Sequence, residues 1–344
     1  MKAVVAHGPG DLRVSEQDAP RPAEGQALVR IVYGGICGSD LHYAQHGRNG
    51  IYEIVEPLTL GHEVVGVLAA TSPSGALAAG TPVAVHPATP TPPIGAARGS
   101  GLNLRIGGTY LGSASTSPHT QGGFAEYLVV EEAQLRPLPA ALPLRRAVLA
   151  EPLAVAIHAV GLLGERVTGA NVLVSGSGPI GVLAISALRR AGAARITAAD
   201  LHRVPLDTAL AVGADESIQL GVDPAPADDS FDIVVEAAGA VPSLATALRV
   251  VRRGGAILQL GMLPAGELPI PLASLISKEV VLQGTQRFDS EIDEALDLLA
   301  DDPRIEATIS HEFPLQAAEQ AFACAADATR SAKVILAVTP DPSS

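Results

Sequence analysis

Short apolar segments separated by glycine and proline fill the first 150 residues of the chain. Residues 27–33, 64–69, 82–86 and 127–130 are rich in β-branched side chains and are bounded by turn-forming residues, a pattern that predicts strands. Residues 87–123 lack a sustained period and are dense in Pro, Gly, Ser and Thr, which predicts a long irregular loop. The first part of the chain is therefore expected to be mostly β.

The pattern changes near residue 151, where apolar residues recur with helical spacing and alternate with short apolar strands. The predicted helices are 153–163, 180–191, 244–251, 290–299 and 315–326. The predicted strands are Asn171–Ser175, 194–200, 230–237, 256–261, 279–284 and 332–338. Strands that alternate with helices indicate a parallel sheet covered on both faces. We therefore expect an α/β protein in which a doubly wound parallel-sheet domain is joined to a mostly β domain.

Length, charge and cysteine content narrow the class of protein. A chain of 344 residues exceeds what one compact core usually holds and suits two domains. The net charge of −13, from 36 acidic and 23 basic residues, repels phosphate backbones, so nucleic acid is not expected as a partner. No run approaches the ~20 apolar residues of a membrane span, and the N-terminus resembles a first strand rather than a signal peptide. With only Cys37 and Cys324 available, we expect a cytoplasmic protein without a disulfide framework.

A glycine-rich turn between a predicted strand and a predicted helix suggests a dinucleotide site. The turn has the sequence Gly176-Ser177-Gly178-Pro179-Ile180-Gly181. In such a turn the first glycine allows the tight bend, the second lets the backbone approach a pyrophosphate, and the third lets the helix lie close to the strand. Asp200 ends the next predicted strand, where an acid accepts from the ribose hydroxyls and repels a 2′-phosphate. A plain glycine-rich turn is the alternative, but the combination favours NAD; Arg203 lies close behind and would soften the preference over NADP.

Four side chains of the types that bind zinc are the second candidate site. They are Cys37, His62, Glu63 and Glu151. A thiolate, an imidazole and carboxylates are zinc ligands, and a site that keeps an open position for water is catalytic. Each residue alone has an ordinary explanation: a small buried cysteine, a core histidine, a surface acid, and an acid at a helix start. Their occurrence together with a dinucleotide motif favours a catalytic metal centre.

Three neighbouring residues are expected to support this centre. Asp40 is expected to accept a hydrogen bond from the ring of His62 and so to orient it. Ser39 is expected to contact the substrate oxygen, and His42 to carry the proton outward.

These motifs resemble the zinc-containing medium-chain dehydrogenase/reductase family, and within it the sorbitol (polyol) dehydrogenase group. The resemblance covers nearly the whole chain and rests on C-G-S-D-L-H-Y at 37–43, L-G-H-E at 60–63, Q-G-G-F-A-E-Y at 121–127, E-P-L-A-V-A-I-H at 151–158, G-S-G-P-I-G at 176–181 and G-T-Q-R-F at 284–288. It implies a Rossmann NAD-binding domain at 153–290, inserted into a GroES-like catalytic domain formed by 1–152 and 291–344.

The resemblance also implies roles for individual residues. The implied ligands of one catalytic zinc ion are Cys37, His62 and Glu63, with Glu151 either binding the ion or holding its bound water. The implied substrate-pocket residues are Tyr43, Arg287 and Phe288.

Relatives that hold a second, structural zinc ion carry four cysteines in the loop after the first strands. The matching positions here are Thr91, Ile94, Ala97 and Arg105, none of which binds zinc. We therefore expect one catalytic zinc ion per subunit and no structural zinc.

The expected reaction is hydride transfer between a secondary alcohol and NAD, assisted by zinc as a Lewis acid. Arg287 offers a planar donor fork that suits a carboxylate or several hydroxyls, which favours a sugar acid such as idonate, or a neutral polyol. Alternatively, Arg287 pairs with Asp289 or Glu291 and is structural. Two other functions stay open: a secondary-alcohol or biosynthetic dehydrogenase acting on a larger alcohol, and a non-enzymatic nucleotide-binding protein. A homo-oligomer, either dimer or tetramer, is expected.

Overall fold

The structure is a computed structural model that describes residues 1–89, 101–105 and 108–342. Of the positions that match structural-zinc cysteines in relatives, Thr91, Ile94 and Ala97 lie outside the described residues. Arg105 lies within them, directly after a single 3-10 turn at Leu102–Leu104.

The N-terminal part consists mainly of antiparallel strands, as expected. The strands are β1 Lys2–Gly8, β2 Asp11–Glu16, β3 Gln26–Gly35, β4 Arg48–Asn49, β5 Tyr52–Glu53, β6 Leu58–Thr59, β7 Glu63–Leu68, β8 Pro82–Val85, β9 Tyr127–Glu131 and β10 Leu135–Pro137. One sheet has the order β2-β1-β6, and a larger sheet contains β10, β8, β7 and β3 as successive neighbours, with β9 also paired to β3. The pairing of β3 with β7 positions the candidate metal site, because Cys37 follows β3 and His62 precedes β7.

A parallel sheet forms the second part. Its strands are β11 Asn171–Ser175, β12 Arg195–Asp200, β13 Glu216–Gln219, β14 Phe231–Glu236, β15 Val251–Gln259 and β16 Val281–Gly284. Their order is β13-β12-β11-β14-β15-β16, with parallel pairing throughout. This is the strand order of a doubly wound dinucleotide-binding sheet, and the order reverses between β11 and β14. The predicted α/β fold with a Rossmann sheet and a mostly β part is confirmed.

Helices cover the parallel sheet and link the two parts. They are α1 Gly38–His46, α2 Leu144–Ala147, α3 Ala150–Gly161, α4 Pro179–Arg190, α5 Arg203–Val212, α6 Val241–Val250, α7 Ala273–Lys278, α8 Ile292–Asp301 and α9 Ala318–Ala325. Leu153 of α3, Leu183 of α4 and Leu299 of α8 are fully buried in one aliphatic cluster. Burial of each leucine contributes about 1.5–3 kcal/mol, so this layer fixes α3, whose first turn carries Glu151. No helix among the described residues is long and apolar enough to cross a membrane.

The C-terminal segment returns to the first part of the chain. Its strands are β17 Ile309–Pro314 and β18 Lys333–Ala337. β18 pairs in parallel with β17 and antiparallel with β3, where Ile335 lies opposite Gly35. The sheet that carries the candidate metal ligands is therefore built from both ends of the chain.

Apolar periodicity does not indicate helix α1, because its sequence G-S-D-L-H-Y-A-Q-H has no continuous apolar stripe. Local polar contacts define it instead. The Asp40 carboxylate accepts the backbone N–H of the N-cap residue Cys37 at 3.0 Å. Gly47 ends the helix in the left-handed conformation, with a φ of 65°.

Candidate metal and cofactor site

Cys37, His62 and Glu63 come together at the adjoining ends of two neighbouring strands. Cys37 follows β3, whereas Glu63 begins β7 and lies opposite Gly35 of β3. The ligand atoms of the three side chains all lie within 4.8 Å of one another. His62 and Glu63 are buried and Cys37 is half-buried. A sulfur, a ring nitrogen and a carboxylate oxygen at these separations form a donor set that zinc accepts, so the residues present fit the ion.

Two glycines beside these ligands are required by the packing. A Cβ atom on Gly35 would lie 2.1 Å from the Oε2 atom of Glu63. Gly61 has a φ of +97°, and a Cβ atom there would lie 2.3 Å from the Phe124 ring. Any larger side chain would therefore displace the ligands or the core ring beneath them.

A buried lysine that the sequence analysis missed contacts Glu63. The Nζ atom of Lys333 donates to both Glu63 oxygens at 2.7 Å and to the Ile36 carbonyl at 3.1 Å. Burial acts to lower the pKa of Lys333, but the negative charges of Glu63, Cys37 and Glu151, together with the hydrogen bond to Glu63, outweigh burial and raise the pKa. Lys333 therefore remains charged and fixes the orientation of the Glu63 carboxylate. A single lysine inside the apolar segment 332–338 was the available signal.

Asp40 differs from its expected role. Its buried carboxylate accepts the backbone N–H groups of Cys37 at 3.0 Å and of Gly61 at 3.1 Å. The Nδ1 atom of His62 lies 3.9 Å from Asp40, which is too far for a hydrogen bond. The predicted hydrogen bond to the His62 ring is therefore wrong. Asp40 instead holds together the two backbone segments that carry Cys37 and His62.

The charges around His62 are predominantly negative. Burial acts to lower the pKa of His62, but the negative charges of Asp40, Cys37 and Glu151 outweigh it and raise the pKa to about 10. A group of acidic side chains in a buried site is stabilised by a cation, and a divalent metal ion provides that charge while leaving the imidazole neutral to coordinate.

The glycine-rich turn lies at the carboxyl end of β11, next to the reversal of strand order. Gly176 has a φ of +93°, and a Cβ atom on Gly181 would lie 1.9 Å from the carbonyl oxygen of Gly176. A Cβ atom on Gly178, in contrast, would meet no atom within 4 Å. Gly178 is the N-cap of α4, and Pro179 and Ile180 form its first turn. The turn thus presents a helix N-terminus to open space, as pyrophosphate binding requires.

Asp200 ends β12 beside this turn. Its carboxylate accepts the backbone N–H of Ser177 at 2.8 Å and of His202 at 2.9 Å. Each carboxylate oxygen has further acceptor capacity for the ribose hydroxyls. Arg203 begins α5, and its guanidinium forms an exposed ion pair with Asp207 at 2.7 Å.

Comparison with known proteins agrees with this arrangement. Residues 23–140 match the family model of the alcohol dehydrogenase GroES-like domain, and residues 179–301 match that of the zinc-binding dehydrogenase. The L-idonate 5-dehydrogenase (NAD(P)(+)) of Escherichia coli K12 is 38% identical, over 97% of this chain and 98% of that protein. The chain belongs to the zinc-binding dehydrogenase family. A crystal structure of that L-idonate 5-dehydrogenase has a TM-score of 0.90 and 37% identity, covering 98% of each chain. The sorbitol dehydrogenase of Gallus gallus is 32% identical, over 93% of this chain and 92% of that protein. The predicted family is confirmed, and so are zinc and a nicotinamide dinucleotide as its cofactors.

In this zinc-binding dehydrogenase, Glu151 accepts a hydrogen bond from Tyr110, a second residue that the sequence analysis missed. The Tyr110 hydroxyl donates to the Oε1 atom of Glu151 at 2.5 Å, and both side chains are buried. Burial raises the pKa of each group. The ring of Tyr110 lies 5.6 Å from the ring of His62, measured between centroids. No motif marks Tyr110, because it lies in the segment predicted as irregular loop.

Arg287 lies against the same tyrosine. Its guanidinium carbon is 3.9 Å from the centroid of the Tyr110 ring, which is a cation–π contact. Its backbone is left-handed, with a φ of 48°. Asp289 and Glu291, the alternative partners, are engaged with other groups of the chain. The guanidinium of Arg287 thus contacts the ring beside the metal site, and within the described part of the chain no ion pair joins it to Asp289 or Glu291.

Ser39 and His42 lie on α1, directly after Cys37. Ser39 is half-buried, whereas His42 is exposed. His42 is therefore more accessible to solvent than Ser39, which is nearer to Cys37 in the chain.

Tyr43 and Phe288 point into the protein interior. Tyr43 is 2% exposed, and its hydroxyl accepts the backbone N–H of Ala114 at 3.1 Å. Phe288 is 1% exposed, and its ring packs against that of His86 with centroids 4.7 Å apart. Contact of either ring with the substrate stays a prediction.

Proposed function

We propose that this protein is an NAD-dependent dehydrogenase that transfers a hydride between the nicotinamide and a secondary alcohol of a polyol or sugar acid. The main support is that the Arg287 guanidinium packs on the ring of Tyr110, which in turn adjoins the zinc donor set of Cys37, His62 and Glu63. A metal centre suits the alcohol that reacts, and a guanidinium suits a carboxylate or hydroxyls of the same small molecule. Similarity to an L-idonate 5-dehydrogenase and to sorbitol dehydrogenases supports this substrate class.

Cys37, His62 and Glu63 would hold the zinc ion, and Glu151 would either bind the ion or hold its bound water. This assignment is supported by the 4.8 Å grouping of the first three and by the hydrogen bond that Glu151 accepts from Tyr110. When bound, zinc supplies Lewis-acid polarisation of the substrate hydroxyl, and NAD supplies the hydride acceptor. The residues of the chain provide position and a buried electrostatic environment.

Ser39 and His42 would move the hydroxyl proton outward. Ser39 is half-buried two residues after Cys37, and His42 is exposed three residues further along α1. Residues three apart lie on one face of a helix. Ser39 Oγ would accept the substrate proton while its own hydroxyl proton passes on toward His42 and solvent.

Asp200 would favour NAD over NADP. Its carboxylate would accept hydrogen bonds from the ribose hydroxyls and repel a 2′-phosphate. The ion pair of Arg203 with Asp207 supports this preference, because it engages the nearest arginine elsewhere.

The domain limits would be 1–152 and 291–344 for the catalytic part and 153–290 for the NAD-binding part. Support comes from the pairing of β3 with β18, which joins the two catalytic segments in one sheet. A cytoplasmic location is supported by two free cysteines, Cys37 and Cys324.

A homo-oligomer would form through β16, one of the two edge strands of the parallel sheet. Val281 and Leu282 of this strand are each 39% exposed, and Ile276 of the preceding helix is 85% exposed. An apolar sheet edge favours pairing with a second copy. Sedimentation of the purified protein tests this proposal, and a monomer at all concentrations would contradict it.

The activity is tested by following NADH formation by the zinc-loaded protein with L-idonate, sorbitol and a larger, non-sugar secondary alcohol. Turnover of L-idonate or sorbitol is expected, with loss on addition of a chelator and recovery with zinc. Preference for the larger alcohol would favour the rival dehydrogenase. NAD binding without turnover of any alcohol would favour a non-enzymatic protein.

A further inference from the structure

The 3-10 turn Leu102–Leu104 is docked onto the segment that carries Arg287. The Leu102 N–H donates to the Oδ1 atom of Asp289 at 2.6 Å. A Cβ atom on Gly101 would lie 2.5 Å from the Asp289 carboxyl carbon, so the turn and the segment are closely packed. This turn belongs to the loop in which relatives with a structural zinc ion carry cysteines.

Asn103 makes the most specific contacts of this turn. Its Nδ2 atom donates to the Gln286 carbonyl at 2.8 Å and lies 3.2 Å from the Nε2 atom of His158. The Nδ1 atom of His158 lies 2.7 Å from the Glu291 carboxylate, so Nδ1 carries the proton and Nε2 accepts. Both N–H groups of the Asn103 amide therefore have an acceptor. His158 ends the motif E-P-L-A-V-A-I-H and lies in the last turn of α3, facing Asn103.

These contacts hold the backbone on both sides of Arg287. Asn103 holds the Gln286 carbonyl before it, and the second Glu291 oxygen accepts the backbone N–H groups of Asp289 at 2.7 Å and Ser290 at 2.9 Å after it. Arg287 itself has the left-handed φ of 48°, which a residue with a side chain keeps only where its surroundings determine it.

We propose that Asn103 is a positioning residue for Arg287 and thereby determines specificity for substrates that carry a carboxylate. The inference rests on the proposed function. By tying the Gln286 peptide to α3, Asn103 keeps the guanidinium over Tyr110. A carboxylate requires the planar fork at one position for bidentate binding, whereas a neutral polyol depends on it less.

The test compares Asn103→Ala and Asn103→Asp in the zinc-loaded enzyme with NAD. Leu104→Ala is the matched control, because Leu104 is 58% exposed on the same turn. Both Asn103 variants should raise the KM for L-idonate about tenfold more than the KM for sorbitol, the size of effect of one lost hydrogen bond. The aspartate variant should match the alanine variant because it replaces a donor with an acceptor facing the Gln286 carbonyl. Zinc content, the KM for NAD and the thermal midpoint should match those of Leu104→Ala.

A second comparison places Asn103→Ala in an Arg287→Ala background. If Asn103 acts through Arg287, its effect on the ratio of L-idonate to sorbitol kcat/KM should disappear there. Persistence of the effect in that background, or equal losses for both substrates in the single variants, would overturn the inference. An unaltered enzyme that oxidises sorbitol but not L-idonate would refute it together with the proposed sugar-acid substrate. Normal L-idonate oxidation by the Asn103 variants would refute the inference alone.

Discussion

Replacing Lys333 with methionine removes the cation from a buried ion pair. Lys333 Nζ donates to both Glu63 oxygens at 2.7 Å, and the two side chains are 3% and 0% exposed. Removal of one partner leaves a buried carboxylate uncompensated, which costs about 3–5 kcal/mol. The metal-free Lys333→Met variant should therefore unfold at a lower temperature than the unaltered metal-free protein.

The size of the shift follows from the length of the chain. An unfolding entropy of roughly 2.1 cal/mol/K per residue, taken over the chain, gives about 0.7 kcal/mol/K. A loss of about 3–5 kcal/mol then lowers the thermal midpoint by about 4–7 °C. Thermal unfolding followed by circular dichroism in the presence of a chelator measures this shift.

Zinc should reduce the loss, because an ion bound by Glu63 supplies the charge that Lys333 no longer provides. The drop in midpoint should fall to less than half when zinc is present. By linkage, the variant should then bind zinc more tightly than the unaltered protein does. Lys2→Met, at the start of β1, is the control. An equal drop with and without zinc would refute the reasoning, since it would mean that Glu63 does not bind the ion.

Cys37→Ala should remove zinc and activity together, while NAD binding persists on its separate sheet; full activity would contradict the metal centre. Elemental analysis of the unaltered protein should find about one zinc ion per chain. Asp200→Ala should weaken NAD binding and narrow the difference in affinity between NAD and NADP. A preference of the unaltered protein for NADP would contradict the role of Asp200. Arg287→Ala should lower kcat/KM for L-idonate more than for sorbitol, and the difference should correspond to a loss of roughly 2–5 kcal/mol of transition-state stabilisation. Arg287→Lys should recover part of the loss, and equal losses for both substrates would contradict carboxylate binding. Burial lowers the pKa of His86, whose Nε2 donates to the Asp289 carbonyl at 2.8 Å, so its contribution to stability is complete above about pH 6.5 and is lost as the pH falls. His86→Gln should flatten the dependence of thermal midpoint on pH between 5 and 7, and an unchanged slope would contradict this.

The sequence by itself determined the features that depend on local spacing. The alternation of strands and helices after residue 151, the placement of Gly176, Gly178 and Gly181 between β11 and α4, and the acid at the end of β12 are readable because each is confined to one or two adjacent elements. The candidate ligands also lie in short segments around Cys37 and His62 that the strands β3 and β7 bring together.

Only the tertiary structure decided which buried polar groups meet. Lys333 reaches Glu63 from a strand 270 positions later, and Tyr110 joins Glu151 to Arg287 from a segment without periodicity. The 3.9 Å separation of Asp40 from His62 likewise depends on how α1 is placed relative to β7. Hydrophobic periodicity specifies which face of an element is buried, but the partner of a buried charge depends on sheet register and on contacts between distant segments, which no local pattern encodes.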